Sequence, residues 1–147
     1  MRFYGGAFVK IILVSTLILS TLLLSTQAFS LEDEKRADLE KRWGIEIQSL
    51  RISAEGFMLD FRFKVNDPEK AAMLFSREYP PIMQHQRSGA KLAVPTTAKA
   101  GPMRSTYPPK KDRVYFMLFG NANQVVQHGD KVTIVVGDFK LEDMVVE

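Results

Sequence analysis

The stretch that decides the fold is residues 57–65, which read FMLDFRFKV. Every second side chain is apolar, and those between are mostly charged. Because successive side chains of a β-strand point to opposite faces, this alternation predicts a strand with one face in a core and the other in water. The predicted core face consists of Phe57, Leu59, Phe61, Phe63 and Val65.

A second alternating stretch precedes this strand. Ile45 and Ile47 share one parity, whereas Leu50 and Ile52 share the other. Since the side-chain period of a strand is two, a change of parity within one strand indicates one extra residue. The sequence therefore predicts a strand with a β-bulge near Gln48.

Turn residues divide the rest of the chain into short elements. The sequence NDP at residues 66–68 ends the strand and predicts a short helix over residues 69–75, because aspartate caps helices and proline suits the first turn. Further strands are predicted over residues 79–86, 91–94, 114–119, 131–136 and 139–147. Pro80 and Pro81 assign the first of these to a sheet edge. Residues 114–119, apolar on both faces, are expected to form a central strand.

These elements predict a mostly β domain, an antiparallel sandwich of six to eight strands with one short helix, over residues 43–147. Crossover α/β folds are excluded because the helices that they need between strands are missing. Residues 31–42 are expected to be a charged linker or a short helix. The predicted core consists of Ile45, Ile47, Leu59, Phe61, Phe63, Phe116, Leu118, Val132, Ile134 and Val136.

The first thirty residues differ in character from the rest. Residues 11–24, IILVSTLILSTLLL, carry no charge and follow Arg2 and Lys10. This run fits a signal-peptide core better than a membrane-spanning helix, which needs about 20 apolar residues. Small residues in STQAFS, at residues 25–30, offer cleavage sites. We therefore expect residues 1–30 to form a hydrophobic leader helix, either a signal peptide or a membrane anchor. The domain would then be exported, and it would be periplasmic or anchored facing the periplasm or the exterior.

Composition limits the function further. The chain has no cysteine, which excludes disulfides, thiolate metal sites and cysteine nucleophiles. Two of the 20 basic residues precede residue 31, which leaves 18 against 17 acidic residues in the expected mature chain. A domain so close to neutral lacks the excess of Lys and Arg that is typical of nucleic-acid binding. No nucleotide-binding loop is present, so no cofactor is expected.

Two patterns suggest chemistry. Met83 and His85 would lie on one side of a strand, and a thioether with an imidazole suits copper, so a periplasmic metal or redox accessory protein is an alternative hypothesis. Two ligands do not complete a site.

Ser88 and Lys91 match a serine–x–x–lysine motif, but Gly89 between them falls in a predicted turn and the partner motifs are missing. A hydrolase with an unrecognised acid pair is a third hypothesis, but Asp60, the only acidic residue of the strand at residues 57–65, faces away from the core stripe.

A basic, aromatic segment lies in the proline-rich stretch at residues 95–113. Its members are Arg104, Tyr107, Lys110, Lys111 and Arg113. The segment could contact anionic lipid headgroups, a polysaccharide or an acidic partner. Alternatively it is a solvated loop whose charges keep a sheet edge from pairing. Because loops often carry function, this segment and the loop at residues 121–128 are the predicted binding surface.

Three stretches resemble known proteins. Residues 56–72 (GFMLDFRFKVNDPEKAA), 114–121 (VYFMLFGN) and 129–139 (GDKVTIVVGDF) are similar to a group of uncharacterised exported bacterial proteins. The first also resembles the water-stress and hypersensitive-response domain. This resemblance implies an immunoglobulin-like β-sandwich over residues 43–147 and no catalytic residues. We therefore expect a non-enzymatic module of the bacterial cell envelope that binds another envelope protein or a polysaccharide. Its N-terminal segment is expected to contact the membrane, at least during export.

Overall fold

The computed structural model describes residues 31–147, so the predicted leader at residues 1–30 lies outside the described residues. Leu39–Glu147 form one compact unit. A helix over residues 31–43 (α1) precedes the strands. The other elements are β1 (Ile45–Ser53), β2 (Met58–Val65), α2 (Pro68–Ala71), β3 (Ile82–His85), β4 (Lys91–Ala93), β5 (Thr96–Thr97), β6 (Gly101–Pro102), β7 (Arg113–Gly120), β8 (Lys131–Val136) and β9 (Phe139–Val145). Single 3₁₀ turns cover Ala54–Gly56, Ala72–Phe75 and Ala122–Gln124.

The strands form antiparallel sheets, which confirms the prediction of a mostly β fold. The first sheet has the order β1-β2-β7, and the second has the order β4-β3-β8-β9. Strands β5 and β6 form a small separate ladder. One hydrophobic cluster contains side chains from both larger sheets, so a single core supports the unit.

The strand β2 provides the middle of the first sheet and a continuous stripe of buried side chains. Leu59, Phe61, Phe63 and Val65 are each at most 1% exposed, as the alternation predicts. Phe57 does not belong to this stripe. It precedes the strand, and 55% of its surface is exposed because the chain is still turning there.

The bulge predicted near Gln48 is confirmed. The register of β1 against β2 shifts between Ile47 and Ser49. The shift allows Ile47 and Leu50, which have opposite parity in the sequence, to be buried on the same side.

Strand β7 is a correction to the prediction. It pairs with β2 on one side, and on the other only a single bridge joins Arg104 to Met117. Its buried side chains are Tyr115, Met117 and Phe119, rather than Phe116 and Leu118 as expected. Both parities of this strand are apolar, so its sequence contains no signal that selects the inner face.

Strand β3 also differs from its prediction. It lies between β4 and β8 inside the second sheet, rather than at an edge. The reason is that Pro80 and Pro81 precede Ile82, where the strand begins, so neither proline removes a ladder hydrogen bond.

The short helix after β2 is confirmed. Asp67 caps α2 by accepting hydrogen bonds from the backbone N–H groups of Glu69 and Lys70, and Pro68 occupies the first turn. A 3₁₀ turn, Ala72–Phe75, continues the helix and buries Leu74 and Phe75.

Three parts of the chain meet where β1 begins. Ile45 pairs with Val65, and Val65 pairs with Arg113. The carbonyl of Gly44 accepts hydrogen bonds from the N–H groups of Asn66 and Asp67, at 2.8 and 2.9 Å. We call this end of the first sheet, formed by residues 43–45, 65–67 and 111–113, the entry end.

Within residues 31–147, no helix combines the length and the apolar character needed to cross a bilayer.

Gly44 is expected to be essential for the entry end. It has a φ of +61°, and a Cβ there would lie 2.5 Å from Cβ of Asp67. Gly89 has a φ of +71° but no atom within 4 Å of the same position. Gly89→Ala should therefore lower the free energy of unfolding by roughly 1–2 kcal/mol from backbone strain alone. Gly44→Ala should lower it by roughly 1–3 kcal/mol more because of the clash.

Guanidinium unfolding followed by the fluorescence of Trp43, the only tryptophan, measures both variants. Equal losses for the two variants would contradict the close contact between Gly44 and Asp67.

Candidate functional site

The structure divides the basic segment predicted from the sequence. Arg104 is only 8% exposed, so it is not part of a binding surface. Its guanidinium donates hydrogen bonds to the carbonyls of Leu74, at 3.1 Å, and Ser76, at 2.6 Å. Burial lowers the pKa of Arg104 from its ordinary value. Arg104 therefore fastens the long loop before β7 to the turn after α2.

The other four members of the segment face solvent. Lys110, Lys111 and Arg113 are exposed, and Tyr107 exposes 79% of its surface. In the part of the chain that the structure describes, none of the three cations forms an ion pair. We call Tyr107, Lys110, Lys111 and Arg113 the basic patch.

The backbone under the basic patch is held in place. The N–H of Lys110 donates to the hydroxyl of Tyr115 at 2.8 Å, and the N–H of Asp112 donates to the carbonyl of Val65 at 2.7 Å. The carboxylate of Asp112 also lies 3.3 Å from the ammonium of Lys64. These contacts fix the backbone on both sides of Lys111 while leaving the charged side chains of the patch in solvent.

The loop at residues 121–128 does not join the basic patch. Asn121 follows the last residue of β7, whereas Lys110 and Lys111 precede its first. Eight residues of strand at about 3.4 Å each separate the two by roughly 27 Å. The side chain of Asn121 is fully buried and bonds Gly56 and Val126, so it organises the loop rather than binding a ligand.

The structure contains a second surface that was not predicted from the sequence. Val114 and Phe116 point outward from β7, with 52% and 40% of their surfaces exposed, and Leu118 is half-buried on the same side. We call these three residues the apolar strip. The signal in the sequence is the apolar character of both faces of residues 114–119, a pattern that is also typical of a strand buried on both sides.

Cations border the apolar strip on the neighbouring strand. Lys64 pairs in register with Val114, and Arg62 pairs with Phe116. The hydrogen bond from Arg62 to Asp60, and then the charge of Asp60, raise the pKa of Arg62. The partner of Asp60 is therefore a cation. A hydrolase that uses a pair of acids would need a second carboxylate near Asp60 instead.

The alternative metal ligands face inward. Met83 is completely buried and His85 is 1% exposed. The Nδ1 atom of His85 lies 2.7 Å from Oγ of Ser88, and its Nε2 lies 3.3 Å from a carboxylate oxygen of Asp130. Among residues 31–147, no group of three or more His, Asp and Glu side chains is arranged to hold a metal ion.

A hydrolytic triad places a histidine between a serine and an acid. The same three types of side chain are neighbours here, since His85 lies between Ser88 and Asp130. The geometry indicates a structural role instead. Although Nε2 of His85 is close to Asp130, its direction does not give a hydrogen bond. In the turn, the N–H of Gly89 donates to the carbonyl of His85 and that of Ala90 donates to Ser88 Oγ, so neither is free to stabilise an oxyanion.

Asp130 connects this cluster to the loop after β7. Its carboxylate accepts a hydrogen bond from the N–H of Gln127 at 2.9 Å and forms an ion pair with Arg87 at 3.1 Å. The cluster therefore joins the turn between β3 and β4 to the loop that precedes β8.

Comparison of the chain with protein-family models, curated protein sequences and solved structures gave no significant match in any of the three.

Arg104 is expected to contribute to stability rather than to binding. Arg104→Met leaves two carbonyls without their donor, and each loss should lower the free energy of unfolding by roughly 1–3 kcal/mol. Lys111→Met, in the same loop but exposed, should change it by no more than about 0.5 kcal/mol. Guanidinium unfolding measures both, and a loss for Arg104→Met as small as that of the control would contradict the role assigned to its two hydrogen bonds.

The two histidines of the chain provide a second matched pair. His85→Ala should lower the free energy of unfolding by roughly 2–4 kcal/mol, because it leaves a cavity in the interior. His128→Ala, on an exposed loop, should have little effect. Titration of Cu(I) into the wild type and His85→Ala tests the copper hypothesis on the same samples: equal, weak binding rules that hypothesis out, whereas tight binding that requires His85 supports it.

Proposed function

We propose that the chain is an exported, non-enzymatic binding module of the bacterial cell envelope, built on an immunoglobulin-like β-sandwich. The observation that carries the proposal is the apolar strip of Val114, Phe116 and Leu118. It lies on the solvent side of a fixed sheet, and the cations Arg62 and Lys64 border it.

The strand order supports the immunoglobulin-like assignment. In chain order, the strands β1, β2 and β7 correspond to A, B and E, and the sheet β4-β3-β8-β9 corresponds to C′-C-F-G. Immunoglobulin-like sandwiches place A, B and E together and C, F and G together, with C′ beside C when it is present. The same order suits the proposed relationship to the water-stress and hypersensitive-response domain.

The energetics of the apolar strip favour a partner. Fully burying a side chain of the size of valine or phenylalanine contributes roughly 1.5–3 kcal/mol, and the fold leaves about half of this area on Val114 and Phe116 in water. An aromatic residue next to arginine is also a typical composition for the centre of a protein–protein interface.

A protein partner fits the apolar strip better than a polysaccharide does. Sugar hydroxyls need hydrogen-bonding groups, whereas the side chains of Val114, Phe116 and Leu118 offer none. The cations at the border already pair with carboxylates of the domain, Arg62 with Asp60 and Lys64 with Asp112. We therefore propose another envelope protein with an apolar patch as the partner.

The location rests on the sequence of residues 1–30. Their uncharged run follows basic residues and ends in small residues, which is the pattern of a segment that directs export. A bacterial alkaline phosphatase fused after Glu147 should be active, since that enzyme matures only outside the cytoplasm. An inactive fusion would contradict export.

A photo-crosslinking amino acid at Phe116 tests the binding surface in living cells. The same amino acid at Val145, which is 46% exposed on β9 of the second sheet, is the control. We expect a discrete adduct from Phe116 and none from Val145, because only the first lies on the apolar strip. Asp60 and Arg62 remain unchanged in both variants.

The adduct from Phe116 should disappear when Val114→Ser is added, while unfolding shows that the domain remains folded. Absence of an adduct at Phe116, or equal adducts at both positions, would overturn the proposed binding surface.

A further inference from the structure

We infer that the basic patch at the entry end binds the anionic headgroups of a lipid bilayer. The inference rests on the proposed envelope location and names a second binding surface, distinct from the apolar strip. It is supported by the charge of the patch, by the exposed tyrosine and by the contacts that fix the backbone of the patch at the end of the first sheet.

The charge of the basic patch is not balanced by the acids nearest to it. Asp112 lies beside Lys64, and Asp67 lies beside Lys70. Lys110, Lys111 and Arg113 have no such partner within residues 31–147 and therefore present three positive charges within four residues of sequence. Each Lys or Arg close to an anionic membrane surface is attracted to it.

Tyr107 gives the patch an amphipathic side chain. At 79% exposure it is the most exposed large hydrophobic side chain of the described unit, and Pro108 and Pro109 follow it. The phenol ring has an apolar body and a polar tip, which is why tyrosine concentrates at the level of lipid headgroups. The two prolines restrict the backbone that follows the exposed ring.

The backbone of the patch is fixed at the end of the first sheet. The carbonyl of Gly44 accepts hydrogen bonds from the N–H groups of Asn66 and Asp67, and the carbonyl of Val65 accepts one from the N–H of Asp112. Lys111 and Arg113 flank Asp112, so the backbone that carries their charges is held at the entry end.

Nucleic acid and polysaccharide explain the patch less well. The expected mature chain carries 18 basic and 17 acidic residues, so it lacks the broad field that nucleic acids require. A neutral polysaccharide would not account for the charge of the patch. An anionic bilayer accounts for the charge and for the tyrosine together.

The test uses the full chain in lipid nanodiscs, made either of phosphatidylcholine or of phosphatidylcholine mixed with phosphatidylglycerol. Acetylation of lysine amines is measured by mass spectrometry. We expect the labelling rates of Lys110 and Lys111 to fall several-fold in the anionic discs, because headgroups cover both amines. Lys91, exposed on β4 of the second sheet, is the internal reference and should not change.

A charge-reversal pair separates specific binding from general attraction. Each basic residue contributes about five-fold to association with an anionic surface, so Arg113→Glu should remove most of the protection of Lys110 and Lys111. Arg51→Glu makes the same change of charge on β1, where Arg51 pairs with Glu147 and lies away from the entry end, and should leave the protection intact. High salt should abolish the protection in the wild type.

Equal labelling of Lys110 and Lys111 in both discs, or an equal fall at Lys91, overturns the inference. The inference is also overturned if Lys110 and Lys111 are protected only when an acidic polysaccharide is added to the neutral discs. That result would make the polysaccharide the ligand of the patch. These failures leave the crosslink at Phe116 unaffected, whereas loss of that crosslink with lipid protection intact would overturn the proposed protein partner alone.

Discussion

The structure depends on the burial of one face of β2. Leu59, Phe61, Phe63 and Val65 lie almost entirely out of water, and β1 and β7 pair with the two edges of the strand that carries them. Because side chains alternate along a strand, fixing this stripe in the core also fixes Arg62 and Lys64 on the solvent side. The border of the candidate binding surface is therefore a direct consequence of how the core is built.

The antiparallel order then determines which surfaces meet. The first residue of β1, the last of β2 and the first of β7 lie side by side, so the start of β1 and the basic patch share one end of the first sheet. The same order carries the loop at residues 121–128 to the opposite end. Proximity in the sequence has little influence here. Residues 44, 65–67 and 112 belong to distant segments, yet Gly44 accepts hydrogen bonds from Asn66 and Asp67, and Val65 accepts one from Asp112.

Buried polar groups hold the irregular segments to this frame. Arg104 bonds the carbonyls of Leu74 and Ser76, Asn121 bonds Gly56 and Val126, and Asp130 lies against His85. A polar group removed from water must find a partner in the protein, so each of these side chains fixes a loop in one position. Residues that looked like candidates for binding or catalysis are therefore explained, in these three places, by the packing of loops.

The sequence alone determined the β character of the fold, the bulge in β1, the capped helix after β2 and the stripe of β2, because each follows from local alternation or from a turn residue. It could not place β7, whose two faces are equally apolar, or decide that Phe116 would remain outside while Met117 was buried. Nor could it show that Arg104 is buried while Lys110, Lys111 and Arg113 are exposed, since all four are cations of one segment. Those outcomes depend on which distant carbonyls and strands come within reach, and only the tertiary structure decides that.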